Sequence, residues 1–221
     1  MSETTYDFND GHGTVPAHQH PNGGGWVADT AMVHSTAYVG PNARVYGSAR
    51  VCDNAEVYGT ARVYENAQVY GKARVYGEAW VHGNAQVYGE AHVYGEARVY
   101  GNAHVCDTAR VYGDAWVYGN AQVYGNARVY GNALVYDNAW VYGTARVYGH
   151  ARVCDTARVY GDEPQTPSDN RDTIIAALQA EVKAWRDSIQ TREHFVWDDA
   201  KKIVSAMQAT DALGALNEDR A

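Results

Sequence analysis

The sequence predicts a mainly β fold: a parallel β-helix of about seven 18-residue coils, with an N-terminal loop cap and a C-terminal α-helical tail. Three observations predict it. Valine stands at every sixth residue from Val27 to Val159, twenty-three times without exception, and alanine does the same from Ala31 to Ala157. Ala–x–Val is strand alternation, with both apolar residues inward and x outward, and the Gly-Asn that follows Val-Tyr makes the bend. The variable positions fall into columns of like residues when the chain is read in steps of eighteen.

Residues 1–26 are expected to form a loop cap over the first coil, because they place Tyr6, Phe8, Val15 and Trp26 among glycine, asparagine and histidine. Open strand edges need such a cover. His12, His18 and His20 crowd into "HGTVPAHQH", but Pro16 and Pro21 break the segment and no recognisable ligand spacing is completed. No metal is assigned to them.

Residues 27–162 are the repeat, V-Y-G-N-A-R in its commonest form. Where the glycine is replaced, the substitutes are Asp53, Asp107, Asp137, Asp155 and one Glu65. Aspartate tolerates left-handed backbone, so the position is expected to need positive φ, with Glu65 the exception to explain. A six-residue unit cannot bury its own apolar face, so units must coil and stack. With three units per coil, Asn66, Asn84, Asn102, Asn120 and Asn138 form one ladder at a single corner. Gln68, Gln86 and Gln122 share one face with His104. Arg74, His92, Arg110, Arg128 and Arg146 line a second, and Trp80 and Trp116 share the third. Amide ladders hydrogen-bond along such a stack, which favours this register.

The stretch "YVGPNARVYGSARV" (38–51) resembles the hexapeptide-repeat proteins, whose fold is a left-handed parallel β-helix. The V-Y-G-x-A-x variant, introduced by "GGWV" at 24–27, is similar to the "VYGNA"-repeat proteins of bacteriophages and prophages, some of which carry acyltransferase labels. Left-handedness is what the resemblance implies. It also implies a homotrimer, since related β-helices are often trimeric, and a bacterial host protein as partner. Residence in the host cytoplasm or association with a virion follows from the same likeness.

The repeat ends at "GDEPQTPSDN" (161–170), with residues 163–170 as linker. Within 171–221, Ile174, Leu178, Val182, Trp185 and Ile189 recur at helical spacing. A second helix from Thr191 carries Val196, Ala200, Ile203 and Met207. This helical hairpin is expected to cap the last coil, to oligomerise or to dock a partner.

Charge narrows the function classes. The net charge of −8 divides as −3 over residues 1–26, −1 over 27–162 and −4 over 163–221. A general nucleic-acid binder is expected to be basic, and the near-neutral repeat lacks the acidity of a DNA mimic. No apolar run approaches membrane-spanning length, and no signal peptide is evident at the N-terminus. Cys52, Cys106 and Cys154 occupy the slot normally held by tyrosine, each followed by Asp, and read as structural thiols.

The resemblance also implies possible enzymes, so the histidines matter. A hexapeptide acyltransferase would use acetyl-coenzyme A at a subunit interface, with a catalytic histidine and an inserted loop. No insertion interrupts Val27–Gly161, and His34, His82, His92, His104 and His150 each take a variable slot. Nor do three of them suggest the metal site of the related carbonic anhydrases. No catalytic residue, metal or cofactor is assigned. The sequence instead points to a binding rod. Its candidate surface is Arg74, His92, Arg110, Arg128 and Arg146, flanked by Tyr70, Tyr88, Tyr124 and Tyr142. Like charges one strand apart repel, which suits an anionic partner: an acidic protein patch, or a nucleic acid or polysaccharide. Glu90 is the one acid expected beside the row.

Overall fold

The computed structural model describes residues 4–161 and the backbone of residues 164–165; the helical tail expected at 171–221 lies outside the described residues. The chain opens with β1 (Thr5–Asp7), β2 (Thr14–Gln19), β3 (Trp26–Ala28), β4 (Met32–Val33) and β5 (Tyr38–Val39). Strands of two or three residues then recur at every sixth residue, from β6 (Arg44–Val45) to β25 (Arg158–Tyr160), and β26 (Pro164–Gln165) follows. Every third strand joins the same sheet, so three sheets wrap one core. Sheet I starts from β3, sheet II from β4 and sheet III from β5. Pairing is parallel and steps by eighteen residues, as in Val27↔Val45 and Val45↔Val63. Each sheet holds eight parallel rungs: on sheets I and II all eight come from the valine repeat, and on sheet III the eighth is Pro164–Gln165, beside Arg146. Eight rungs at a strand spacing of ~4.8 Å make a stack on the order of 34 Å long.

The constant letters are the core. From Ala37 to Val147 every repeat valine and alanine is fully buried. Burying each valine is worth about 1.5–3 kcal/mol against exposure, so the stack holds itself together rung by rung.

The bends confirm the backbone demand read from the sequence. Bend glycines from Gly47 to Gly149 have φ between 65 and 73°. Asp53, Glu65, Asp107, Asp137 and Asp155 have φ of 56–58° at the same place. Glu65 ceases to be an exception once its carboxylate is followed: it accepts the Gly83 N–H one coil on, at 2.7 Å. Asp53 and Asp107 accept the N–H groups of Gly71 and Gly125, each at 3.0 Å. These acids occupy strained backbone and satisfy a bend amide in return.

The N-terminal segment departs from expectation: it is not a loop. β1 pairs antiparallel with β2, and β2 pairs antiparallel with β3, so a hairpin extends sheet I by two strands. Its aromatic residues continue columns of the solenoid. Tyr6 stacks on Trp26 at 4.3 Å, and Phe8 stacks on Tyr46 at 4.8 Å. Phe8 fits because the tyrosine slot of the first coil holds only Ala28. On sheet III the rim is sealed differently, by residues 22–25, and Gly25 leaves no room for a Cβ against the Val39 and Gly40 carbonyls.

Candidate binding faces

Outward residues form columns in the expected register, and each sheet uses them differently. The asparagine ladder is real: Asn66, Asn84, Asn102, Asn120 and Asn138 are linked amide to amide at 3.0–3.2 Å. It ties successive coils along the corner between sheets I and II.

On sheet I, arginine and tryptophan share the outward column. Arg62 and Arg98 lie over Trp80 at 5.1 and 5.0 Å, and Arg98 also lies over Trp116 at 4.9 Å. The guanidiniums of Arg62 and Arg98 are held against ring faces, so much of their attraction is spent within the chain, whereas Arg152 at the far end of the column makes no such contact among the described residues. Trp80 and Trp116 share the sheet as expected, with Arg98 between them.

On sheet II the outward column includes Gln68, Gln86, His104 and Gln122. The tyrosines that follow its valines lean back onto this sheet. The Tyr70 hydroxyl donates to Gln86 at 3.2 Å, Tyr88 meets His104 edge-on and Tyr124 meets Trp140 edge-on. Tyr142 stacks over Tyr124 at 5.1 Å. The column is interrupted by Cys106, whose thiol pKa is raised by burial, in keeping with a structural role.

Sheet III brings the arginine row together. Arg74, His92, Arg110, Arg128 and Arg146 pair in unbroken register. All four arginines are exposed. Two points differ from the sequence reading. The row is headed by an acid, Glu56, which bonds the Arg74 guanidinium at 3.3 Å, whereas Glu90 pairs with Lys72 at 3.1 Å. And the aromatic flank that accompanies the row is Tyr58, Tyr76, Tyr94, Tyr112, Tyr130 and Tyr148, an unbroken stack at 4.8–5.3 Å. Tyr70, Tyr88 and Tyr124 make their side contacts on sheet II instead. The reason is that a ring after Val packs beside the outward residue sixteen positions on, as Tyr76 does with His92 at 6.2 Å. That lies on its own sheet, not the next.

Glu78, Glu96 and Asp114 follow in the corner after sheet III, so acids accompany the early part of the row and none of the matching slots at Asn132 and His150 does. Arg110, Arg128 and Arg146 make no ion pair among the described residues. His92 has its pKa lowered by burial first and then by the neighbouring Arg74 and Arg110, so it stays neutral and separates two charges.

The remaining histidines are scattered. His82 stacks between Tyr64 and Tyr100 at 4.7 and 5.0 Å, and its pKa is lowered by burial despite Glu65 nearby. His18 Nδ1 bonds Asp29 at 2.7 Å, and His20 is buried with Nδ1 on the Asn22 carbonyl. Among the described residues no group of three His, Cys, Asp or Glu is placed to hold a metal. Among them, too, no helix is long and apolar enough to cross a membrane.

His82 gives a pH prediction. Its folded pKa lies below the unfolded value near 6.5, so the unfolded chain binds the extra proton and stability falls as pH drops below about 6.5. His82→Tyr would restore an uninterrupted tyrosine stack and remove that contribution. Melting temperatures at pH 7.5 and 5.0 should therefore differ less in the variant than in the wild type.

Comparison with known proteins agrees with this architecture. A family model described as the YdcK beta solenoid repeat matches residues 67–83, 109–125, 121–132 and 127–143. No curated protein matches the chain. With three parallel sheets stacked in steps of eighteen residues, the chain is a β-solenoid repeat protein.

Proposed function

We propose that this protein is a non-catalytic β-solenoid scaffold that binds a partner protein along sheet III. The observation that carries the proposal is the row of Arg110, Arg128 and Arg146. These are exposed, in register and unpaired among the described residues, whereas the sheet I arginines Arg62 and Arg98 are held against tryptophan. Charges stacked one strand apart, with no ion pair among the described residues, suit an acidic surface, and the adjacent tyrosine stack supplies rigid contact area. The similarity of the V-Y-G-x-A-x repeat to phage and prophage proteins supports a bacterial host protein as the partner, met in the host cytoplasm, with interference in a defence system as one outcome. The same likeness supports a homotrimer.

A second reading follows from the same row: a nucleic acid or other polyanion laid along the strip. It predicts binding that weakens steeply with salt, which a compact acidic protein patch need not show.

Charge reversal tests both. Arg110→Glu, Arg128→Glu and Arg146→Glu together leave the buried valines and alanines untouched, so the thermal melt should shift little. Affinity purification from bacterial lysate should recover a specific protein with the wild type and lose it with the triple variant. Recovery of the same protein by both would contradict the proposal. Wild-type retention on immobilised polynucleotide with a steep salt slope, lost in the variant, would favour the polyanion instead.

A further inference from the structure

The first coil has three rims, and among the described residues two are sealed. On sheet I, β2 pairs beneath β3. On sheet III the groups of β5 that face away from the next coil are all met by residues 22–25. Asn22 Nδ2 donates to the Ala37 carbonyl at 2.9 Å, Val39 N–H donates to the Asn22 carbonyl at 3.0 Å and Gly25 N–H donates to the Val39 carbonyl at 2.9 Å. The equivalent groups on sheet II are the Ala31 carbonyl and both the N–H and carbonyl of Val33. None has a partner among the described residues, although β4 is bonded on its other side through Met32 N–H to Ala49 and His34 N–H to Val51. Burial marks the same gap. Val27 and Val39 are fully buried, whereas Val33 and Ala31 are only partly so and Met32 is 54% exposed.

A cleft of about 770 Å³ adjoins this rim, between the hairpin and the bends after sheet I. Phe8, Tyr46 and Tyr64 line it with aromatic rings, and Asp10, Asp29 and Glu65 bring carboxylates to it. Each carboxylate has one oxygen engaged: Asp10 by the His12 N–H, Asp29 by His18 Nδ1 and Glu65 by the Gly83 N–H. The other oxygen of each has no hydrogen-bond partner among the described residues. Asp29 and Thr30 line the cleft and lead directly into Ala31 and β4.

We propose that the open rim of sheet II accepts one extended segment of a partner protein as an added strand, with a lysine or arginine of that segment seated in the cleft. An unpaired strand edge is a template for an added strand, and main-chain hydrogen bonds supply its affinity. Aromatic rings beside carboxylates suit a cation on an apolar stem. Residues of the segment that point inward would cover Val33 and should be small and apolar. Sheet I runs two strands beyond the first coil while sheet II stops at β4, so the rim is a recess that fits a single strand better than the end of a second solenoid. This site stands independently of the arginine strip.

The test uses the full chain and a library of random synthetic nonapeptides. Enriched peptides should carry lysine or arginine, and at saturation the Val33 amide should exchange at least tenfold more slowly. Replacing the basic residue by glutamine should weaken binding at least fivefold, as should Asp29→Asn in the protein, and N-methylating alternate peptide amides should abolish it. Absence of enrichment, enriched peptides that leave Val33 exchange unchanged, or indifference to the basic residue would each overturn the proposal. Val33 protection that grows with protein concentration alone would assign the rim to a second copy of the chain and overturn it as well.

Discussion

Phe8→Ala should destabilise the N-terminal hairpin by about 3–5 kcal/mol, the usual cost of emptying a buried aromatic site. Phe8 is almost fully buried, meets Tyr6 edge-on at 4.9 Å and stacks on Tyr46 at 4.8 Å. Ala28 cannot fill the space, because it stands where other coils carry tyrosine. The loss is local, since solenoid stability is a sum over neighbouring rungs. Hydrogen exchange should accelerate over residues 5–28 and remain unchanged in the central coils. Equal acceleration along the whole stack would show that the hairpin is not a separable cap.

Gly101 provides the second large effect, through a contrast. Its φ is 70°, and a Cβ there would lie 2.9 Å from the Gly119 nitrogen and 3.0 Å from its carbonyl oxygen. Gly101→Val should cost roughly 1–3 kcal/mol, as a β-branched residue forced into left-handed backbone against the next coil. Gly101→Asp should cost clearly less, because its carboxylate can accept the Gly119 N–H as Asp107 accepts that of Gly125. Chemical denaturation of the two variants measures the difference. Equal destabilisation would mean that the acids at Asp53, Glu65 and Asp107 are tolerated for some reason other than this hydrogen bond.

What could be read from the sequence was whatever the chain repeats. Val and Ala mark the interior twenty-odd times, and the substitution of Gly by Asp announces positive φ before any coordinate is known. The step of eighteen followed from the asparagine ladder, which the structure joins amide to amide. The hairpin was hidden because it occurs once, and because Pro16 inside "TVPAHQ" looks like a break; the strand runs through it all the same, with Pro16 opposite Thr5 and its carbonyl accepting the Asp29 N–H. The arginine row was legible as a column. Its tyrosine flank was not legible, because spacing cannot show that each ring leans back over its own sheet. Glu56 stands one step before Arg74 in the same column, where the run of basic residues has not begun.

The outward faces exist only if residues eighteen apart are neighbours, and Cys106 allows that to be measured directly. It stands in one column with Tyr88 and Tyr124, and stacked tyrosines in such columns have ring centroids about 5 Å apart. Neighbouring strands at ~4.8 Å fall within the Cα separation a disulfide spans. Introducing a single cysteine by Tyr124→Cys, Tyr118→Cys or Tyr112→Cys and oxidising at pH 8.5 should yield a bond to Cys106 in the first variant alone, eighteen residues away. Tyr118 and Tyr112 belong to the columns of the other two corners. Crosslinking of Tyr118→Cys or Tyr112→Cys at a comparable rate, or none in Tyr124→Cys, would contradict the account.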